Sequence, residues 1–374
     1  MALKIAVLKE TAENEKRVSA TPETVKKYIA KGFKISMVAG AGVNASYPDA
    51  DYKNAGAEIV DSADQATADA DIILCVQPPS HALKTKPDAL LIGLLSPYNS
   101  KDRLTAYAAQ GLTTLSMELV PRITRAQAMD VLSSQSNLAG YRAVLEAAAE
   151  FPRAFPMMMT AAGTIPPARV FVMGAGVAGL QAIATAKRLG AIVSATDVRA
   201  ASKEQVQSLG ASFVMVESDE IKQAETAGGY AKEMSDDFKQ KQAKLVAETL
   251  VKQDIVITTA LIPGRPAPVL VTEEMVKSMK PGSVIVDLAA PQGGNCTLTK
   301  VGETVEVNGV KILGFANISS RIATDSSALY ARNLMNLLAV AVDKDGNLAL
   351  NMDDDIMKGT ILTKSGQIIH PNFQ

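Results

Sequence analysis

Short β-branched and apolar runs alternate along the whole chain with longer stretches of helical spacing. This alternation is typical of α/β proteins built on parallel sheets. In the first third, residues 22–31 and 101–110 have helical spacing, and Thr21 and Ser100 are suitable N-caps. The predicted strands of this part are residues 4–8, 34–38, 57–60, 71–76, 90–95 and 113–117.

A second α/β pattern begins near Ala168. The charged stretch 228–252 is predicted to be helical in its second half, and the apolar periodicity of 326–342 predicts a helix that leads back to the first domain. Residues 155–167 are typical of a connection between domains, and the tail 343–374 contains short strand patterns. The predicted strands of this second region are residues 169–173, 192–196, 212–214, 255–258, 284–287 and 310–314.

Composition narrows the class of protein. Of 374 residues, 47% are hydrophobic, which is enough for a full core, and a net charge of -1 with 4% aromatic residues excludes a nucleic-acid footprint. The chain lacks an apolar run near the roughly 18 residues of a membrane helix and lacks a signal-peptide pattern at its start. We therefore expect a soluble, cytosolic protein without a membrane span. Cys75 and Cys296 are too few for a disulfide framework or a zinc site, and we expect buried, reduced thiols.

A glycine-rich turn follows the first predicted strand of the second pattern. Gly174, Gly176 and Gly179 form a G-x-G-x-x-G triplet before a predicted helix at 180–189. In dinucleotide-binding folds these glycines permit the tight turn, let the backbone approach the pyrophosphate and let the helix pack on the strand. The helix N-terminus favours the phosphates, so this segment predicts a dinucleotide site.

An acid ends the following predicted strand. Asp197 is placed to accept both hydroxyls of the adenosine ribose and would repel a 2′-phosphate, which favours NAD(H) over NADP(H). Arg199, two residues later, weakens that preference.

A polar segment, residues 122–136, is the best candidate to meet the nicotinamide half. If it is helical, Gln127, Asp130 and Ser134, or Asp130 and Ser133, share a face. Such side chains, with an arginine, can donate to and accept from a carboxamide. A solvated helix face or a capping loop would show the same pattern.

Two other segments could close on the cofactor. Residues 226–234 have paired glycines before Tyr230, as a mobile loop over a ligand would, but an ordinary surface loop has the same composition. Residues 258–265 follow a strand at the carboxyl edge, where such folds bind ligands, although a plain strand-to-helix turn is the alternative.

Acid–base residues are scarce. The only histidines are His81, in a proline-rich loop, and His370, near the end of the sequence. A dehydrogenase acting on an alcohol, hydroxy acid or amino acid also moves a proton and usually needs a histidine or lysine. Hydride transfer between two nicotinamides needs only two rings held close, aligned and dry, so this chain favours that reaction.

Five longer motifs carry a family resemblance; they are residues 121–142, 153–164, 228–234, 259–264 and 293–296. Together they resemble the NAD(H)-binding domain I of the proton-translocating nicotinamide nucleotide transhydrogenases. The resemblance covers nearly the whole chain. Because the sequence contains no membrane helices, it is similar to the separate α1 subunit of the multi-subunit bacterial form.

The resemblance implies roles for single residues. Arg122, Asp130 and Ser133 would orient the nicotinamide end, and Gln127 would lie where the NADP(H)-binding partner docks and contact that second cofactor's ribose. Tyr230 would sit on the mobile loop. The adenosine ribose would be lined by Asp197, Val198 and Arg199, and backbone or packing contacts would come from Val177, Gly229 and Leu261.

The resemblance also implies an assembly. The subunit would be a homodimer that binds an NADP(H)-binding β subunit and a membrane subunit, and would be cytoplasmic and peripheral to the inner membrane. The activity would be that of a Re/Si-specific NAD(P)⁺ transhydrogenase, with hydride transfer coupled to proton translocation in the membrane partner.

The family is similar to alanine dehydrogenase, whose starting pattern matches residues 9–10 and 17–22. The lysine and histidine that hold and protonate the substrate there align with Gln77 and with residues 96–97, which cannot act as acid or base. Amino-acid dehydrogenation is therefore disfavoured. Ser319 departs from the transhydrogenase pattern, which has a proline there.

We therefore predict an α/β fold of two Rossmann-like domains with parallel sheets separated by a cleft. Residues 1–130 with 322–374 would form a first domain like the N-terminal domain of alanine dehydrogenase, and residues 131–321 the NAD(H)-binding Rossmann domain. The alternatives are an amino-acid dehydrogenase of the alanine type and a non-enzymatic NAD-sensing module.

Overall fold

The structure is a computed structural model that describes residues 2–216, 235–262, 264–343 and 346–374. The chain divides into two compact units. Unit 1 contains the residues up to Gln135 together with Ser319–Gln374, and unit 2 contains Ser136–Ile318. The returning C-terminal segment therefore completes the first unit.

Unit 1 is built on an eight-stranded sheet of order β17-β16-β6-β5-β4-β1-β2-β3. Strands β1 to β6 are parallel, whereas β16 is antiparallel to β6 and β17 is antiparallel to β16. The strands are β1 (Lys4–Val7), β2 (Lys34–Val38), β3 (Glu58–Val60), β4 (Ile72–Leu74), β5 (Leu90–Gly93), β6 (Thr113–Ser116), β16 (Ile361–Lys364) and β17 (Gln367–Ile368).

Side-chain N-caps begin some of the helices of unit 1, but the predicted cap Ser100 makes no side-chain cap hydrogen bond at the start of its helix. At the first helix Thr21 and Thr24 form a reciprocal capping box and Pro22 takes the first helical position. The helices are α1 (Pro22–Ala30), α2 (Asp49–Asn54), α3 (Ala63–Thr67), α4 (Lys101–Ala109), α10 (Ala323–Ala341) and α11 (Asp355–Thr360). Helix α5 (Val131–Glu150) contributes residues to both units.

Unit 2 is built on a seven-stranded sheet of order β11-β10-β9-β12-β13-β15-β14, parallel except for β14. Its strands are β9 (Arg169–Met173), β10 (Ile192–Thr196), β11 (Ser212–Phe213), β12 (Ile255–Thr258), β13 (Val284–Asp287), β14 (Thr304–Val307) and β15 (Val310–Leu313). Its helices are α6 (Val177–Arg188), α7 (Ser202–Ser208), α8 (Asp236–Leu250) and α9 (Glu273–Ser278). A separate exposed hairpin joins β7 (Met158–Thr160) to β8 (Gly163–Ile165).

Each sheet has an apolar core on both faces. Successive strand residues point to opposite sides, so Ile5 packs in one core of unit 1 and Ala6 in the other. In unit 2, Val170 and Phe171 divide in the same way. Because the central strands are buried on both faces, their sequences are continuous apolar runs, and their positions could be predicted for that reason.

The predicted α/β class is confirmed, and each predicted strand overlaps an observed strand. The predictions omitted β14 and the β7–β8 hairpin, which are short strands whose residues are exposed or half-buried and whose sequences lack the longer apolar runs of the central strands. Cys75 and Cys296 are buried free thiols. Ser319 begins a 3₁₀ turn, Ser319–Ile322. Across the described ranges, no helix is both long enough and apolar enough to span a bilayer.

Candidate functional site

The glycine triplet of unit 2 forms a tight turn between β9 and α6. Gly174 has a φ of +109°, in the left-handed region that favours glycine. A Cβ on Gly179 would lie 1.8 Å from the carbonyl oxygen of Gly174, so only glycine lets the helix pack this closely. Gly174 and Gly179 are therefore needed for the shape of the turn and for the close packing of the helix on it.

Gly176 has a different role, because it faces open space. A Cβ built on Gly176 would meet no atom within 4 Å. Gly176 is the N-cap of α6 and makes no side-chain cap hydrogen bond, so no side-chain oxygen of this residue covers the first amides of the helix. An open face over uncapped helical amides fits a pyrophosphate group.

Asp197 follows β10 and faces this turn. Its carboxylate accepts hydrogen bonds from the backbone N–H of Ala175 at 2.7 Å, from that of Arg199 at 2.8 Å and from the Arg199 Nε at 2.9 Å. Burial raises the pKa of Asp197, but the bonds from Arg199 and Ala175 outweigh burial and lower the pKa below its usual value. The carboxylate is therefore ionised at neutral pH and able to accept ribose hydroxyls.

Three apolar side chains around the turn remain exposed to solvent. The exposed fractions are 42% for Val177, 77% for Val198 and 47% for Leu261. The resemblance implies backbone or packing contacts for Val177 and Leu261, and a place beside the adenosine ribose for Val198. Exposed apolar side chains beside an anion-binding turn suit a nucleotide, which has both apolar faces and phosphates.

The segment after β12 is bonded to the glycine turn. The Thr259 hydroxyl donates to the Gly174 carbonyl at 3.2 Å, and a Cβ on Gly174 would lie 2.4 Å from that hydroxyl oxygen. Thr259 thus fixes the distance between the two segments. This close approach is a second reason why Gly174 must be glycine.

Helix α5 also packs closely on the start of α6. A Cβ on Gly140 would lie 2.0 Å from the carbonyl oxygen of Ala178. The contact brings the two backbones together beside the glycine turn, so it fixes the N-terminus of α6. Neither this contact nor the Thr259 bond was predicted; a glycine inside a helical stretch was the available signal for the first.

In unit 1 the predicted polar segment is a 3₁₀ helix, Thr124–Met129, followed by α5 from Val131. Asp130 lies between them: its Oδ1 accepts the backbone N–H of Ser133 at 2.9 Å and its Oδ2 accepts the Ser133 hydroxyl at 2.5 Å. Asp130 is thus the N-cap of α5. The Ser134 hydroxyl instead donates to Asn333 at 2.7 Å.

Arg122 and Gln127 are both exposed. Over the stretches of chain that the structure describes, neither side chain has a hydrogen-bond or ion-pair partner. Their polar groups are therefore available to a ligand or a partner. Gly229 and Tyr230 lie outside the described residues, so their predicted roles stay predictions.

The structure gathers the predicted residues into two groups. One group in unit 2 surrounds the glycine turn, and the other in unit 1 lies at the start of α5. Within the described ranges, no group of histidine, cysteine and acidic residues is suited to a metal ion.

Unit 1 contains a buried charge network that sequence analysis did not predict. Arg17 donates from Nε and an Nη to the Glu15 carboxylate at 2.8 Å and 2.6 Å, and Gln77 donates to the same carboxylate at 3.0 Å. Burial raises the pKa of Glu15, but the bonds and charge of Arg17 outweigh it and lower the pKa to about 2. The Gln77 side chain is thus engaged in structure and offers no proton acceptor.

Two other carboxylates satisfy the amides that follow the strands of unit 1. Glu10 accepts the N–H groups of Val76 and Gln77 at 2.7 Å and 2.9 Å, beyond the end of β4. Glu118 accepts the N–H groups of Leu95 and Ser96 at 3.0 Å and 2.6 Å, beyond β5. Burial raises the pKa of Glu10 to about 7. The chain's own side chains therefore fill these positions.

The side-chain contacts of the two histidines involve none of the predicted site residues. His370 is buried with its ring centroid 4.9 Å from that of Phe373, and burial lowers its pKa. His81 is exposed, with Nδ1 at 3.2 Å from the Ser80 hydroxyl. These contacts link neither histidine to the two groups of predicted residues.

Comparison with known proteins gives the family. Residues 6–139 match the model described as the alanine dehydrogenase/PNT N-terminal domain, and residues 143–371 match that of the C-terminal domain. The chain belongs to the alanine dehydrogenase/PNT family. The C-terminal family model extends through residues 319–371, which fold into unit 1 of this alanine dehydrogenase/PNT protein.

Within the alanine dehydrogenase/PNT family the chain is more like transhydrogenase subunits than like the alanine dehydrogenases compared. It is 55% identical to the first portion of NAD(P) transhydrogenase subunit alpha from Rhodospirillum rubrum, over 99% of this chain and 98% of that one. A transhydrogenase structure from Sinorhizobium meliloti has 52% identity and a TM-score of 0.90, covering 98% of this chain and 100% of that one. An L-alanine dehydrogenase structure has 25% identity and a TM-score of 0.81, covering 100% and 98%.

Proposed function

We propose that this chain is the NAD(H)-binding subunit of a proton-translocating NAD(P) transhydrogenase. Hydride would pass directly between NAD(H) on this chain and NADP(H) on a partner subunit. The observation that carries the proposal is the 55% identity to a transhydrogenase subunit across nearly the full length of both chains. The geometry of the glycine turn supports the nucleotide assignment independently.

Unit 2 would bind the dinucleotide. Gly176 and the first amides of α6 would hold the pyrophosphate, and Asp197 would accept the adenosine ribose hydroxyls. Val177 and Leu261 would pack against the nucleotide. Bound NAD(H) supplies the nicotinamide ring that donates or accepts the hydride.

The unit 1 group would orient the nicotinamide. The Arg122 guanidinium, which has no partner among the described residues, would donate to the carboxamide oxygen, while Asp130 and Ser133 would accept from its amino group. The capping bonds of Asp130 hold its carboxylate in a fixed orientation, which suits a positioning role. Gln127 would contact the ribose of the partner's cofactor, and Gly229 and Tyr230 would belong to a loop that excludes water.

Partner subunits would supply the second nucleotide site and the path for protons. We assign the NADP(H) site to a β subunit and proton translocation to a membrane subunit, because the relative with 55% identity is named as one part of one transhydrogenase subunit. This subunit would be a homodimer on the cytoplasmic face of the inner membrane, held there through its partners.

The second candidate is an alanine dehydrogenase activity, favoured by the 0.81 TM-score to L-alanine dehydrogenase. Gln77 counts against it. An amide cannot take up a proton near neutral pH, and this one donates to Glu15 in a buried network.

The deciding experiment mixes the purified chain with an NADP(H)-binding partner domain, NADPH and an NAD analogue whose reduced form absorbs at its own wavelength. We expect reduction of the analogue only when both proteins are present. Bound NADH with no exchange under any partner condition would instead indicate an NAD-sensing module. Turnover of L-alanine with NAD⁺ by this chain alone would establish the dehydrogenase.

A further inference from the structure

A buried amide side chain, that of Asn295, holds the segment that follows β12 through hydrogen bonds. This segment is called the clipped segment below. Asn295 has no exposed surface. Its Oδ1 accepts the N–H of Ala260 at 3.0 Å, and its Nδ2 donates to the carbonyls of Ala260 at 2.9 Å and Pro268 at 2.7 Å. Asn295 thus pairs with both backbone groups of one residue and with the far end of the same loop.

A buried carboxylate holds Asn295 itself in place. Asp287, at the end of β13, accepts the backbone N–H groups of Asn295 at 2.8 Å and Cys296 at 3.0 Å. The Thr299 hydroxyl donates to the same oxygen at 2.7 Å. Gly294 has a φ of +81°, and a Cβ there would lie 2.9 Å from that oxygen, so the segment wraps the carboxylate closely. The position of Asn295 is therefore fixed by β13.

The clipped segment adjoins the glycine turn. Thr259 bonds to the Gly174 carbonyl, and Ala260 follows at once. Leu261 is 47% exposed, so the next side chain is available to a ligand. Asn295 therefore controls where an exposed apolar residue stands beside the turn.

The strand order places this segment opposite Asp197. Strand β9 lies between β10, which leads to Asp197, and β12, which leads to Ala260. A dinucleotide bound at such a switch point spans it, with the adenosine half on the β10 side and the nicotinamide half on the β12 side. We propose that Asn295 is a positioning residue that holds Ala260 and Leu261 for the nicotinamide half.

This inference rests on the proposed NAD(H) binding, and its test uses the two halves of the ligand. Titrations of NADH and of 5′-AMP are compared for the wild-type chain and for Asn295→Ala. We expect the NADH dissociation constant to rise about tenfold while that of AMP stays within about twofold. If the substitution only damaged the fold, the binding of NADH and of AMP would weaken equally, and that result would overturn the inference.

Gln253→Ala is the matched control, because it removes one buried hydrogen bond of unit 2, from the Gln253 amide to the Thr249 carbonyl, without touching Asn295, Asp287 or the loop they hold. It should leave the NADH dissociation constant within about twofold. Asn295→Asp, which keeps the Oδ1 acceptor and the side-chain size, gives a second variant should Asn295→Ala fail to fold. It should show the same selective loss of NADH affinity.

One measurement needs no variant. In the unliganded wild-type chain, the Ala260 amide should exchange its hydrogen slowly, because Asn295 accepts it in a buried site. Rapid exchange of that amide would overturn the inference, as would unchanged NADH affinity in both Asn295 variants. Failure of the wild-type chain to bind NADH at all would remove the proposed function and this inference with it.

Discussion

Replacement of Gly140 by alanine should destabilise unit 2. The new Cβ would lie 2.0 Å from the Ala178 carbonyl oxygen. Because carbon–oxygen contacts lie near 3.3 Å, the two helices would have to separate by about 1 Å. An extra methyl group in a packed region lowers the free energy of unfolding by roughly 1–3 kcal/mol. Because a backbone oxygen, unlike a side chain, cannot rotate away from the methyl group, we take a cost near the upper end of that range.

Alanine is the better helix former by about 1 kcal/mol, which leaves a net loss near 2 kcal/mol. For a unit of this size, that loss should lower Tm by roughly 4–8 °C. Thermal unfolding followed by circular dichroism measures it. An unchanged or higher Tm would refute the close-packing argument.

Gly176→Ala is the matched control for this experiment. Its Cβ would meet no protein atom within 4 Å, so Tm should stay at the wild-type value. NADH binding should nevertheless fall sharply, because the methyl group would occupy the space proposed for the pyrophosphate. Equal Tm losses in the two variants would show that the loss does not come from the contact with Ala178.

Further predictions concern single side chains. Asp197→Ala should weaken NADH binding at least about tenfold in a fluorescence titration, because the ribose hydroxyls lose their acceptor; an unchanged dissociation constant would contradict that role. Gln127→Asn should slow transfer to the partner's nucleotide far more than it weakens NADH binding, and proportionate losses would count against the partner-facing role. Glu15, with its pKa lowered from 4.5 to about 2, should contribute stability that is complete above pH 4.5 and lost as the pH falls toward 2. Urea midpoints of the wild type and Glu15→Gln should therefore converge on acidification, and a constant difference would argue against the Arg17 pairing.

The central strands were predictable because of their burial. β4 and β5 are buried at every position, so each appears as an uninterrupted apolar run. β14 alternates exposed and half-buried residues at a sheet edge, and β7 and β8 are exposed throughout. β14 nevertheless pairs with β15 across the two-residue turn Asn308-Gly309, in which both residues have positive φ, so the Asn-Gly pair was a local hairpin signal that the prediction missed.

The candidate site divides in the same way. The glycine triplet and Asp197 lie within one β-α-β segment, so their spacing predicted that they would lie together, as the bond from the Ala175 amide to Asp197 shows, while their role in binding stays a prediction. Asn295 pairs with Ala260, 35 residues earlier, and Thr259 bonds to Gly174, 85 residues earlier. Contacts of this kind depend on strand order and on the loops between strands, which cannot be predicted from the spacing of residue types.

The side chains of Glu10 and Glu118 occupy backbone amides that could otherwise bind an acidic ligand. Two mainly parallel sheets occur in one polypeptide, but in the first the amides beyond two neighbouring strands already have internal carboxyl groups as partners. A small acid entering there would have to displace a covalently tethered competitor of very high local concentration. Whether the amides beyond a strand are free to bind a ligand therefore depends on a few acidic side chains. Substituting those side chains would free the amides without changing the sheet.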